Sequence, residues 1–263
     1  MEELKVNSLS DYLNLLSLHE GATLFRGVSD VENHKLIPSI GRNWLGSVDD
    51  LLEHEKILLQ QFKIKSAILL DKLPSNDWEW LTIAQHYGMP TRLLDWSTNP
   101  LVALYFACAD NQDKNGAVYL LGRSSELDPI DNPSPFNIRN DYILSPRHIS
   151  PRIVTQASYF TVSSNPTKPI EVKHIVTDLS TGDPKTISLR IVITKPVVKH
   201  LILKDLRKIG VGPSSLFPGL DGLCKEIATE DLLYREQENR KVKERKLITS
   251  SSSKPLDQSA SPS

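Results

Sequence analysis

Apolar residues recur with helical spacing in several segments, and capping residues mark where these helices begin. Ser8 and Asn76 are suitable N-caps for two helices, and Pro100 follows the capping sequence Ser-Thr-Asn of another. Gly88 and Pro90 end the helix that follows Asn76. The pattern predicts helices at 9–19, from Ser47 onward, at 76–87 and at 100–109, and two more in the last third of the chain.

Three of these helices carry an apolar stripe, which predicts the side that packs on the rest of the protein. The stripes consist of Leu51, Leu58, Phe62 and Leu69 in the second helix, Val198, Ile202, Leu206 and Ile209 in the fifth, and Leu220, Leu223, Ile227 and Tyr234 in the sixth. The helix at 100–109 is apolar on every side, so we expect it to be central.

Short apolar segments predict the strands. In ATLFRGV the side chains of Leu24, Arg26 and Val28 share one face, and Phe25 lies on the other. Further strands are predicted at 116–122, 158–163, 170–177 and 186–194. Because most strands follow residue 115 and helices lie before and after them, the sequence predicts an α+β fold with helices flanking a split, mainly antiparallel sheet.

Loop and tail signals in the sequence indicate how the chain is divided into a domain and a tail. The segment 123–151 contains five prolines and has no lasting periodicity, which predicts a long loop. The chain becomes highly charged from Arg235 and then serine-rich, a composition that buries too little apolar surface to fold. We therefore expect one domain at 1–247 and a disordered tail at 248–263.

Charge and cysteine content exclude several classes of function. Lys and Arg total 31 against 32 for Asp and Glu, which argues against bulk attraction to nucleic acid or anionic membranes. The sequence begins without a signal-peptide pattern, and its longest apolar run is too short for a bilayer, so we expect a cytoplasmic protein without membrane contact. Cys108 and Cys224 lack zinc-ligand spacing and are interpreted as reduced core residues, and no metal site is predicted.

Arg26 is the first candidate functional residue, because it places a permanent charge among apolar strand residues. A guanidinium stays protonated in proteins, and burial removes its water unless a carboxylate, a phosphate or several carbonyl groups replace that water. An anionic partner is therefore predicted for Arg26. Gly27 follows directly, and we expect it to let a ligand approach the backbone closely.

His86, Arg92 and Asp95 fall within one turn between two predicted helices, a setting in which functional loop residues are common. Each also has a purely structural interpretation. His86 suits a solvated position where the helix end favours a protonated ring, and Arg92 suits an ion pair with Asp95 that locks the loop. Gln156 and Asp221 are weaker candidates, since a lone glutamine most often bonds to the backbone. The sequence contains no phosphate-loop, zinc-protease or serine-hydrolase motif.

Several motifs, in the order of the chain, resemble those of the FRG domain family, which is named for its Phe-Arg-Gly signature. They are LFRG, LIPSIGR, QHYGMPTRLLDWSTNPLVALYFA, PRIVTQASYF and LFPGLDGL. The resemblance covers most of residues 20–235 and is most specific in QHYGMPTRLLDW. It implies a fold similar to ADP-ribosyltransferases, NAD as the substrate, and a role in bacterial toxins or phage defence.

The resemblance also implies roles for individual residues. The implied catalytic residues are Arg26, His86, Asp95 and Gln156, and the implied NAD-binding residues are Arg26, Arg92, Ser97 and Thr98. Arg26 would hold the phosphates or ribose of NAD, and Ser97 would line the nicotinamide pocket. Gln156 stands in place of the catalytic glutamate of such transferases and offers only a dipole where positive charge develops.

Three functions remain open at this point. The first is an enzyme that cleaves the nicotinamide bond of NAD and passes ADP-ribose to an unknown macromolecular acceptor or to water, with an antitoxin or defence partner. The second is a module that binds a nucleotide or partner without chemistry. The third is a structural network in which Arg26 pairs with Asp95. The position of these residues relative to the largest cleft distinguishes the three.

Overall fold

The computed structural model describes residues 1–122, 132–148, 150–177, 181, 183–194 and 196–252. The strands are β1 (Glu2–Val6), β2 (Leu24–Val28), β3 (Leu93–Ser97), β4 (Gly116–Leu121), β5 (Tyr142–Leu144), β6 (Ser158–Val162), β7 (His174–Thr177), β8 (Pro184–Ile187) and β9 (Leu189–Ile193). The helices are α1 (Leu9–Leu16), α2 (Val48–Ser66), α3 (Asp77–His86), α4 (Pro100–Ala109), α5 (Pro151–Thr155), α6 (Pro196–Lys208), α7 (Pro213–Leu216) and α8 (Leu220–Ser252).

Seven of these strands form one mixed sheet in the order β1-β9-β4-β2-β3-β6-β5, while β7 pairs with β8 separately. Within the large sheet β1 and β9 are parallel, and the other neighbouring strands are antiparallel. The predicted α+β class with flanking helices is confirmed. Strands β2 and β3 share a single registered pair, Phe25 with Ser97, whereas β3 and β6 are paired along their whole length. The sheet therefore opens between β2 and β3.

The two faces of β2 lie in different parts of the core, as the alternation in the sequence predicted. Leu24 and Val28 belong to a buried cluster that also contains Trp96 of β3. Phe25 belongs to a second cluster together with Val102 and other residues of α4. The central position predicted for α4 is confirmed, because most of its residues are buried.

Gly27 brings α4 into direct contact with β2. A Cβ atom added at Gly27 would lie 1.8 Å from the carbonyl oxygen of Ala103 and 2.7 Å from the backbone nitrogen of Ala107. Only glycine permits so close an approach of the two backbones. Helix α4 occupies the space that a side chain would need, and Gly27 itself lines the cleft described below, so close approach of a ligand to its backbone stays a prediction.

The apolar stripes of α2 and α8 do not lie where the sequence placed them. On α2 the buried side chains include Leu51, Glu55 and Leu59, whereas Leu69 lies beyond the helix and is exposed. The predicted stripe of α8 consists of exposed residues, namely Leu220, Leu223, Ile227 and Tyr234. The buried face of α2 thus includes the carboxylate of Glu55, whose burial the pattern of apolar residues does not predict.

Several boundaries also differ from the prediction. The predicted strand at 170–177 is reduced to β7, the one at 186–194 becomes β8 and β9, and the predicted loop contains β5. Residues 123–131 and 149 of that loop lie outside the described residues. Helix α8 runs five residues into the predicted tail, and 253–263 are likewise outside the description, so the disordered tail stays a prediction.

The two cysteines differ in environment. Cys108 is buried in the core cluster around α4, as predicted, but Cys224 is exposed on α8, so its assignment to the core is wrong. Both thiols are free. In the part of the chain that the structure describes, no helix combines the length and apolar character needed to cross a membrane.

Candidate functional site

A cleft of about 450 Å³ opens where β2 and β3 separate. It brings together five of the candidate residues, which are Arg26, His86, Asp95, Ser97 and Gln156. One wall is apolar and aromatic and includes Phe25, Phe106, Phe160 and Phe217. A cleft of this size, lined by apolar groups and a few convergent polar groups, has the properties of a small-molecule binding site.

Arg26 spans the opening between the two strands. Its Nη1 donates a hydrogen bond to the main-chain carbonyl oxygen of Asp95 at 2.5 Å and lies 3.7 Å from the Oδ2 of the same residue. The side chain is 17% exposed, and its Nε is buried without a hydrogen-bond partner among the described residues. Desolvation lowers the pKa of Arg26. The carboxylate of Asp95 raises this pKa, and the neighbouring positive charge of Arg42 lowers it further. The guanidinium remains a cation with unused donor capacity.

The side chain of Asp95 is the accessible carboxylate beside Arg26. It is 61% exposed, and its Oδ1 accepts a hydrogen bond from Gln85 Nε2 at 3.0 Å. A carboxylate has about four acceptor positions, so these two neighbours leave room for further donors. The contact between Arg26 and Asp95 agrees with the hypothesis of a structural network in which these two residues pair. Both side chains, however, line an open cleft rather than a closed core.

His86 ends α3 at the border between this cleft and a second cavity. Its Nε2 lies 3.4 Å from the hydroxyl of Ser150, and its ring contacts that of Tyr87 edge to face. Burial lowers the pKa of His86 below its ordinary value, and the positive charge of Arg152 lowers the pKa further. The protonated ring suggested by the helix end is therefore not favoured, and the imidazole is neutral near pH 7.

Ser97 and Gln156 use their polar groups to hold the base of the cleft together. The Ser97 hydroxyl donates to the carbonyl oxygen of Gln156 at 2.6 Å and accepts a hydrogen bond from the Asn99 amide at 3.0 Å. The amide nitrogen of the Gln156 side chain donates to the Leu216 carbonyl oxygen at 3.1 Å. This backbone bond is the structural role that the sequence favoured for Gln156. Thr98 is exposed and lies outside the cleft lining, contrary to its predicted position.

Arg92 also lies away from the cleft, so its predicted contact with NAD is wrong. It is fully buried, and its Nε donates to Glu55 Oε2 at 2.8 Å, while its backbone amide donates to Glu55 Oε1 at 2.7 Å. Its Nη1 donates to the Pro135 carbonyl oxygen at 2.6 Å. The predicted partner Asp95 is wrong as well, because the carboxylate that pairs with Arg92 comes from α2.

The cleft also contains charged and polar residues that the sequence analysis did not select. They are His34, Lys35, Arg42, Gln85, Asp110 and Arg152. Arg42 ends the motif LIPSIGR and Gln85 begins QHYGMPTR, so membership of these motifs was the signal that pointed to them. Asp221 lies outside the lining, but it binds Arg152 at 3.0 Å and so positions a residue of the cleft.

Comparison with known proteins gives one match. Residues 21–116 match the family model of the FRG domain, which supports the predicted family. This range contains Arg26, Arg42, His86 and Asp95, whereas Gln156 lies beyond it. No curated protein and no solved structure matches the sequence.

Proposed function

We propose that the cleft between β2 and β3 binds NAD and that the protein is an NAD-dependent, ADP-ribosyltransferase-like enzyme. The observation that carries this proposal is the meeting of Arg26 and the exposed Asp95 carboxylate in one cleft, with 3.7 Å between Nη1 and Oδ2. A cation and an accessible carboxylate at this spacing provide one group for a phosphate and one for a sugar hydroxyl or a developing positive charge.

The remaining lining of the cleft fits the other parts of a nucleotide. Phe25, Phe106 and Phe160 supply aromatic surface on which a nicotinamide or adenine ring can pack. The volume of about 450 Å³ lies within the usual range for sites that bury most of a small ligand. Aromatic surface, a cation and a carboxylate thus occur together in the cleft, and these groups can bind the rings, phosphates and sugar hydroxyls of a dinucleotide.

In the proposed reaction the bond between C1′ of the ribose and the nicotinamide nitrogen breaks. Neutral nicotinamide leaves with the bonding electron pair, and an oxygen atom of the acceptor or of water forms the new bond to C1′. Asp95 stabilises the positive charge that develops on the ribose, because a preformed carboxylate is most effective where charge appears. His86, neutral near pH 7, takes the proton of the attacking oxygen. Gln156 keeps its contact with Leu216 and holds the cleft in shape.

The resemblance to the FRG domain supports the wider setting of this proposal. We place the protein among bacterial toxin or phage-defence effectors of the cytoplasm, with an unidentified macromolecular acceptor and an antitoxin or defence partner. The opening of the sheet between β2 and β3 is consistent with an ADP-ribosyltransferase-like fold.

Incubation of the purified protein with NAD tests the proposed reaction. We expect release of nicotinamide, and we expect the rate to rise in a cell lysate that contains the acceptor. The measurement is chromatographic quantification of nicotinamide against a buffer control. An absence of release above the control, in buffer and in lysates from several organisms, would remove the enzymatic proposal.

A second candidate function is nucleotide binding without chemistry. It is favoured by one observation: Ser97 and Gln156, to which the resemblance assigns pocket and catalytic roles, both use their side chains in internal hydrogen bonds. Saturable calorimetric binding of NAD without any release of nicotinamide would favour this function over the enzyme.

A further inference from the structure

We infer that Lys35 and Arg42 form, together with Arg26, a subsite for two linked phosphate groups. The cleft would then select ligands that contain a diphosphate, such as dinucleotides and ADP-ribose, over mononucleotides. This inference deepens the proposed function. It rests on that function only in assuming that the nucleotide binds in the same cleft. It concerns ligand binding and does not require that any bond is broken.

The segment after β2 carries the additional positive charges to the rim of the cleft. Lys35 and Arg42 are both exposed, and both line the same cleft as Arg26. Asp30 fixes the first turn of this segment, because its Oδ1 accepts hydrogen bonds from the amides of Glu32 and Asn33 at 3.1 Å. The charged rim therefore follows a turn that is held in place by hydrogen bonds.

Arg42 is anchored in a way that leaves its charged end available. Its Nε donates to the carbonyl oxygen of Ile37 at 3.1 Å, which fixes the direction of the side chain while its two terminal nitrogens remain donors. Within the described ranges, neither Lys35 nor Arg42 forms an ion pair with a carboxylate. These positive charges therefore have no carboxylate partner in the described part of the chain and are suited to an anionic ligand.

Arg26 and Arg42 also repel each other across the cleft. The charge of Arg42 contributes to lowering the pKa of Arg26, so the two guanidinium groups are close enough to interact unfavourably. Arg26 has a buried Nε without a partner in the described structure, and Asp95 is its acidic neighbour. An anion placed between the two arginines would relieve this repulsion and satisfy the free donor.

A diphosphate fits this arrangement better than a single phosphate. The cations belong to two different segments, since Arg26 lies on β2 and Arg42 follows the short 3-10 helix Ser39–Gly41. Two linked phosphates offer two separate sets of acceptor oxygens and can contact both segments at once. A nucleoside monophosphate such as AMP has one phosphate and can fully engage only one of the two segments.

Calorimetric titration of the full chain with ADP-ribose and with AMP tests this inference. We expect ADP-ribose to bind at least about tenfold more tightly than AMP, and Arg42→Ala to weaken ADP-ribose binding by about tenfold with a much smaller effect on AMP. Lys35→Ala should act in the same direction, and it removes no side-chain hydrogen bond to any residue that the structure describes. Arg139→Ala is the matched control, because Arg139 is exposed and lies outside the cleft lining.

The outcomes separate this inference from the proposed function. Unchanged ADP-ribose affinity in both Arg42→Ala and Lys35→Ala, or equal affinities of the unmodified protein for ADP-ribose and AMP, would overturn the subsite. ADP-ribose binding that depends on Arg42, in a protein that releases no nicotinamide from NAD, would support the subsite and reject the enzyme. Thermal melting of each variant checks that folding is unchanged.

Discussion

Replacement of Glu55 by alanine is expected to lower the free energy of unfolding by about 3–5 kcal/mol. Glu55 is fully buried and accepts hydrogen bonds from both the Nε and the backbone amide of Arg92. Without this carboxylate, the Arg92 guanidinium keeps its charge in a fully buried site, where the Pro135 carbonyl oxygen and the Phe136 ring remain as its neighbours among the described residues. The uncompensated charge accounts for most of the loss.

Thermal melting and urea unfolding measure this effect. For a domain of this size, a loss of that magnitude corresponds to a decrease in Tm of about 6–20 °C. Glu53→Ala is the matched control on the same helix, because Glu53 is 64% exposed and forms a surface ion pair with Lys56, and it should cost less than about 1 kcal/mol. Equal losses for Glu55→Ala and Glu53→Ala would contradict the importance assigned to the buried pair.

Asp95→Asn is expected to reduce the rate of nicotinamide release by about 100-fold or more. The substitution removes the negative charge proposed to stabilise the ribosyl cation. The asparagine side-chain oxygen can still accept the hydrogen bond from Gln85, and the bond from Arg26 to the main-chain carbonyl oxygen is unaffected. The protein should therefore fold normally and retain NAD binding, so that kcat falls much more than KM changes.

Nicotinamide release, measured at saturating NAD, checks this prediction. Asp205→Asn serves as the control, since Asp205 lies on α6, pairs with Lys208 and is not among the residues that line the cleft. Gln156→Ala should have a smaller effect than Asp95→Asn, because the Gln156 amide already holds the backbone of Leu216. The reverse order of effects would assign the catalytic role to Gln156 instead.

Local signals in the sequence were sufficient to predict α4 and β2, two of the elements that frame the site. The Asn-Pro start of α4 predicted its boundaries, and the alternation in β2 placed Arg26 and Phe25 on opposite faces. The charge of Arg26 predicted an anionic partner, and the structure supplies Asp95 as part of it. The first two predictions depend on residues close together in the sequence, whose hydrogen bonds and alternation follow from the local backbone.

Other contacts, between residues far apart in the sequence, could not be predicted from local patterns. Arg92 and Asp95 are close in sequence, but Arg92 pairs with Glu55, whose position in a polar stretch of α2 gave no signal of burial. The contact of Gln156 with Leu216 spans 60 residues. Arg42 lines the same cleft as Arg26, although it lies beyond β2 and after the short 3-10 helix. Each of these depends on the tertiary arrangement rather than on local pattern.

The central claim is that the cleft beside Arg26 binds NAD, and calorimetric titration of the full chain with NAD tests it most directly. The account predicts saturable binding at one site, and it predicts that Arg26→Lys weakens this binding by about tenfold, because lysine keeps the charge but lacks the planar fork that grips a phosphate in two places. Arg139→Lys should bind like the unmodified protein. An absence of saturable NAD binding, or equal affinity in a folded Arg26→Lys variant, would contradict the account.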